Sequence, residues 1–165
     1  VEESAAPRPT SKLEEYCLAL ALHTPEHLTR IAFLEPEAFE AAECRALFSA
    51  LREFSESADL FDQDAFRATL DESLGAWYDR LIGQEQGLPD LNEPELAREL
   101  ESMAHRLRLQ HDKAELSQIE VLMRDPDEER TAEDAKKLQE RVGFLLKRLM
   151  DSQKALSART LSGRI

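Results

Sequence analysis

His23 and His27 stand four residues apart, the spacing at which two imidazoles share one face of a helix and can hold zinc. Pro25 lies between them and marks the start of a new helical segment, and no Glu follows His23 as the metalloprotease pattern requires. The pair is read as structural. Asp62-Gln63-Asp64 parallels the paired aspartates that carry magnesium in polymerases, but it comes with neither a partner carboxylate on a strand nor a phosphate-binding loop. A helix N-cap followed by an acid in the first turn accounts for it. Asp59 and Asp62 lack the Gly and closing Glu of a calcium loop. The two cysteines, Cys17 and Cys44, fall at apolar helical positions, which excludes a disulfide framework and a four-cysteine zinc site; Arg45 adjoins Cys44, but nothing marks either residue as a reactive thiolate. They read as small core residues in a reducing cytosol. His105 and His111 fall on a long helical stretch, and no Gly-rich phosphate loop or nucleophile elbow is present. No catalytic residue, metal or cofactor is therefore expected within these 165 residues.

The elements that carry these residues are helical. Gly is scarce (5 residues), aromatics make up 6%, and Ala, Leu, Glu and Arg dominate, so an all-α chain is expected. Residues 1–10, with Pro7 and Pro9, read as a linker, and the absence of an initiating Met suggests a fragment of a longer protein. Ser11 and Glu14 have capping-box spacing ahead of Leu13, Tyr16, Cys17, Leu20 and Ala21. A second helix is expected from Thr24 and Pro25, burying Leu28, Ile31 and Ala32. A third, from roughly Ala42 to Ser55, presents Ala46, Leu47, Ala50, Leu51 and Phe54. A fourth, capped by Asp62, presents Phe66 and Leu70. A fifth presents Leu74, Trp77, Tyr78, Leu81 and Ile82 and ends at Gly83. Residues 11–92 are thus a compact multi-helix globule closing on a polar joint, Gly83 to Asn92.

Residues 93–165 differ in character. Asn92 and Glu95 form a second capping-box pair with Pro94 in the first turn, and nothing interrupts the helical pattern before Asp125-Pro126-Asp127. Thr131 opens another long helix, to about Ser157. The two predict a projecting antiparallel hairpin, with Leu96, Leu100, Met103 and Leu107 facing Leu138, Val142, Leu145, Leu149 and Leu156 at near-heptad spacing. The seam turns polar at Gln110 to Lys113, which reads as a hinge or a solvated stretch. Leu109, Leu116, Val121, Phe144, Leu146, Met150 and Leu161 fall off the narrow stripe, and a second apolar stripe points to a partner.

Charge sharpens that expectation. The net charge of -13 argues against a general phosphate-backbone binder. Residues 1–90 hold 19 acidic and 7 basic side chains, a net of -12, whereas residues 136–165 hold 8 basic and 2 acidic, a net of +6. A single aromatic, Phe144, interleaves with Lys136, Lys137, Arg141, Lys147, Arg148, Lys154, Arg159 and Arg164, too few to stack successive bases, so an acidic protein surface suits this end better than nucleic acid. No apolar run approaches 18 residues and no signal peptide opens the chain, so a cytoplasmic protein without membrane contact is expected.

The stretch EEYCLALALHTPEHL from Glu14 to Leu28, followed by EPEAFEAAECRALFSALREF from Glu35 to Phe54, resembles the start of the helicase-binding domain at the C-terminus of bacterial DNA primase. Arg45, Leu47, Phe48 and Leu51 match its Arg-x-Leu-Phe-x-x-Leu helix. Leu74-Gly75-Ala76-Trp77 is similar to its later core helix, and Glu95 to Ile165 to its closing long helix and hairpin. The resemblance implies a non-catalytic docking module whose hairpin binds the N-terminal collar of the hexameric replicative helicase, coupling primer synthesis to the fork. The catalytic and zinc-binding domains, with their zinc and magnesium, would lie upstream. Partner contacts are then expected at Leu145, Lys147, Arg148, Met150, Leu156 and Leu161, with Arg124 and Arg130 near the hairpin tip as secondary contacts. A further contact with the acidic tail of single-stranded DNA-binding protein is weakened here, because Arg8 and Lys12 are the only cations near the start of the acidic globule. The alternatives are the N-terminal domain of the helicase itself, which would continue into an ATP-binding loop, and a coiled-coil scaffold or oligomerisation domain.

Overall fold

The computed structural model describes residues 12–57, 60–83, 90–125 and 129–162, with 159–162 described by backbone alone. The expected linker, Ser11, Asp59, most of the joint after Gly83, Pro126 and Asp127 lie outside the described residues. All regular structure among the described residues is helical: α1 (Lys12–His23), α2 (Ala42–Ser57), α3 (Gln63–Ala68), α4 (Glu72–Ile82), α5 (Glu93–Arg124) and α6 (Ala132–Ser162), with 3-10 segments Pro25–Ile31 and Pro36–Ala38 between α1 and α2. None of these helices is long and apolar enough to cross a membrane. The chain divides into two compact units, Val1–Ala104 and His105–Ile165. The division falls inside α5 rather than at the expected 92/93 boundary.

The first unit is organised around α1. Cys17 through Leu22 are all buried, so the second half of this helix is apolar on every side rather than along a stripe, as a helix enclosed by neighbours must be. The neighbours are α2, α4 and the Pro25–Ile31 segment. Leu13 and Tyr16, expected on the buried face, are half-buried at its edge. Tyr16 instead donates its hydroxyl proton to Glu99 of α5 at 2.7 Å. Glu14 does not close a local capping box: it is buried, and its Oε1 accepts from the Ala41 N–H at 3.2 Å. A carboxylate is thereby placed at the N-terminus of α2, where the helix dipole favours it.

Local chemistry explains the remaining boundaries. The Asp62 carboxylate accepts from the N–H groups of Asp64 and Ala65, and Asp71 does the same for Leu74, capping α3 and α4. Asn92 and Glu95 exchange side-chain and backbone hydrogen bonds at 3.0 and 3.3 Å, a complete capping box for α5. Thr131 Oγ1 accepts from the Asp134 N–H, starting α6. Thr24 departs from expectation. Its hydroxyl donates back to the Leu20 carbonyl, and the segment after Pro25 winds as a 3-10 helix that buries Ile31, leaves Leu28 half-buried and exposes Ala32. The buried face of α2 is also shifted: Cys44, Leu47, Phe48 and Leu51 point inward, while Ala46 is exposed. Phe48 pairs with Phe39 at 5.0 Å between ring centroids. Phe66 closes the other side of the core among Phe54, Phe61 and Tyr78.

Both cysteines are free and buried, as their apolar neighbours predict. Burial above all, with the nearby Cys44 thiol and the Glu14 carboxylate adding to it at Cys17, pushes the Cys17 thiol from 9.0 up to about 12; burial and then Glu14 do the same for Cys44. A disulfide-exchange reagent at pH 8 is therefore expected to label neither thiol in the native chain and both after unfolding in urea. In the unfolded chain the thiols ionise near pH 9 while the folded ones stay protonated, so stability should fall as pH rises from about 9 toward 12. Native labelling faster than global unfolding would contradict the buried placement.

Candidate partner-binding face

The second unit is built from the later part of α5 and from α6. Side-chain hydrogen bonds join them. Arg108 Nε donates to Ser152 Oγ at 3.1 Å, Arg148 forks onto both Asp112 oxygens at 2.9 and 2.6 Å, and Arg141 forks onto Glu115 at 2.7 and 2.9 Å. Positions rise along α5 as they fall along α6, so within this unit the helices run antiparallel. The facing stripes are 108-112-115 and 141-145-148-152, each stepping by three or four residues.

These stripes share only Leu145 with the apolar seams expected from spacing, although Leu107 of the expected seam is also buried in this unit. Leu100 and Met103 are buried and Leu96 is half-buried in the first unit, where Glu99 and Glu101 accept from Tyr16 and Arg30. The polar stretch Gln110 to Lys113 is not a hinge, since it lies within an unbroken α-helix; Gln110 and Lys113 are exposed, His111 is half-buried, and Asp112 is fully buried against Arg148. Bidentate charge-assisted hydrogen bonding satisfies both partners. The Arg141 fork holds the Glu115 carboxyl below the usual carboxylate range despite partial burial.

This arrangement sorts the expected contact residues. Leu145 is fully buried between Arg141 and Arg148 on the inward stripe, so it serves the helix pair and is corrected from a surface contact to a packing residue. Arg148 is committed to Asp112 and is only 14% exposed, so it too belongs to the pair rather than to a free basic surface. Leu156 and Arg130 are half-buried, and Arg124 is ion-paired with Glu120 one turn earlier on α5. The side chain of Leu161 lies outside the described residues. Lys147 and Met150 are exposed.

Helical geometry gathers those two with others. Gly143, Leu146, Lys147, Met150 and Lys154 fall at i, i+3, i+4, i+7 and i+11, one face of α6 turned away from the inward stripe, and all are exposed. Leu146 is 49% and Met150 66% exposed. On its flank Phe144, half exposed, is bracketed by the Arg141 and Arg148 guanidinium groups at 5.2 and 5.1 Å. A second apolar group, Val121-Leu122-Met123, is exposed at the end of α5. Leu122 and Met123 were not expected. The available signal was three consecutive apolar residues directly before a helix stop, too many for any one buried stripe.

An apolar strip edged by lysines can bind a partner helix or sheet edge but has no group placed for acid, base or nucleophilic chemistry. A separate three-donor group, Glu26, His27 and Glu93, lies in the first unit. No family model, curated protein sequence or solved structure matches the chain.

Proposed function

We propose that the chain is a helicase-docking module, the non-catalytic end of a bacterial DNA primase that binds the N-terminal collar of the hexameric replicative helicase. The observation that carries this reading is the exposed Leu146-Lys147-Met150-Lys154 face of α6, apolar along its middle and cationic at its edge. Exposed apolar surface of this kind is characteristic of interaction sites. The resemblance described above supplies the identity of the partner. Docking would raise the effective concentration of a linked polymerase at the emerging template even where each contact is weak.

The reading is tested by calorimetric titration of the cognate helicase ring. Met150→Asp is expected to weaken binding at least about tenfold, equivalent to ~1.4 kcal/mol. Lys147→Glu is expected to weaken it further at low salt, and the wild-type affinity should fall as ionic strength rises. Unchanged affinity in both variants would sink the reading. The same exposed face favours one other possibility, a scaffold that pairs with its own copy. Sedimentation equilibrium separates the two, since self-association abolished by Met150→Asp in the absence of helicase would favour the scaffold.

A further inference from the structure

Apart from the α6 face, the first unit holds a cluster whose donors come from two distant parts of the chain. Glu26 and His27 lie in the Pro25–Ile31 segment and Glu93 is the first residue of α5. One ligand atom from each lies within 4.8 Å of the others, and His27 Nε2 stands 4.0 Å from Glu26 Oε1. The His27 side chain is 14% exposed, and its Nε2 is buried without a hydrogen-bond partner. A buried imidazole nitrogen with nothing to bond is uncommon, because the lost hydration is not replaced. The other two donors, Glu26 and Glu93, are exposed.

We propose that Glu26, His27 and Glu93 bind a divalent first-row transition-metal ion, zinc in particular, which clips the Pro25–Ile31 segment to the first residue of α5. One imidazole nitrogen and two carboxylate oxygens are a donor set that zinc accepts, with water in the fourth position. Ligand atoms around tetrahedral zinc stand about 3.4 Å apart, given bonds near 2.1 Å. The glutamates would close by roughly 1 Å, within the range of their exposed side-chain torsions. Two carboxylates offset the charge of the ion, and the neutral imidazole supplies the softer donor. Spacing along the chain points instead to His23 with His27, but His23 is not part of the cluster. The third donor comes from Glu93, which the fold alone brings near.

The full chain, with any purification tag removed, is titrated with zinc at pH 7.5. One ion per chain is expected, with the His27 ring nitrogens shifting in long-range proton–nitrogen NMR spectra and those of His111 unmoved. The melting temperature should rise with zinc concentration by mass action. His27→Gln and Glu93→Gln should each weaken binding at least about tenfold and abolish the thermal shift, with far-UV circular dichroism verifying that each variant is folded. The NMR shift in the wild-type chain needs no variant. Absence of any effect up to about 1 mM zinc, binding that persists in His27→Gln, or a His27 ring that responds to protons but not to zinc would each overturn the site. Helicase binding is measured separately, so failure of one proposal leaves the other standing.

Discussion

Replacing Arg148 with Ala is expected to destabilise the chain by about 3–5 kcal/mol, the cost of leaving one member of a buried ion pair without its partner. Asp112 is fully buried and receives both Arg148 hydrogen bonds, so the variant strands a carboxylate that cannot reach water without parting α5 from α6. Leu145, one turn away on the same stripe, would be uncovered together with it. Urea unfolding followed by circular dichroism gives the magnitude, and hydrogen exchange along α6 shows where protection is lost. A loss below about 1 kcal/mol would mean that the pair behaves as a hydrated surface bridge. The informative companion is the double replacement Asp112→Leu with Arg148→Met. Swapping both charges for apolar groups of similar volume is expected to be neutral or to stabilise by about 1–4 kcal/mol, since desolvation of two ions is no longer required.

The second large effect is at Phe66. Its ring is fully buried, with centroids of Phe54, Phe61 and Tyr78 at 5.5, 5.7 and 5.8 Å. Phe66→Ala should cost about 3–5 kcal/mol, from lost transfer energy and the cavity left behind. Position matters as much as size. At six residues, α3 is too short to persist alone, and Phe66 is its only buried residue. Losing the ring should release α3 while α1 and α2 stay folded under mild conditions. The Tyr78 hydroxyl donates to Gln63 at 2.6 Å and Gln63 in turn donates to the Leu22 carbonyl at 2.9 Å. That chain should loosen with it. Native-state hydrogen exchange at residues 63–68 is the measurement, and protection there equal to wild type would contradict the dependence.

Features set by neighbours in sequence were legible from the residues alone. The Asp62 cap, the Asn92 and Glu95 box and the Thr131 start each depend on side chains within three positions, and each is present. The burial of both cysteines was readable from their apolar surroundings. What depends on distant chain was not. Glu14 has the spacing of a local cap, yet its carboxylate serves Ala41. Near-heptad leucines suggest a dry seam, but the first of them belong to the first unit, and the helix pair is joined through Arg, Asp, Glu and Ser. Apolar periodicity cannot reveal a polar interface, because it assumes that charged residues face water. The same assumption affects the expected contacts: Arg148 is at the centre of the pair, and Leu145, expected both on the seam and as a partner contact, keeps only its seam role. Lys147 and Met150 survive as exposed because they sit on the opposite side of α6 from the Arg forks.

A seam of alternating charge also restricts how the two helices of the second unit can align. Leucines sliding over leucines would tolerate a slip of one turn at little cost, whereas here each displacement changes what every arginine meets. Moved one turn one way, Arg148 comes opposite Arg108; moved the other way, it comes opposite Leu116. The first alternative sets two guanidinium groups against each other and strands Asp112; the second leaves Arg148 facing hydrocarbon. The Arg–Asp and Arg–Glu rungs thus act as an alignment key, giving up part of the stability that an apolar seam would supply in return for a single registry.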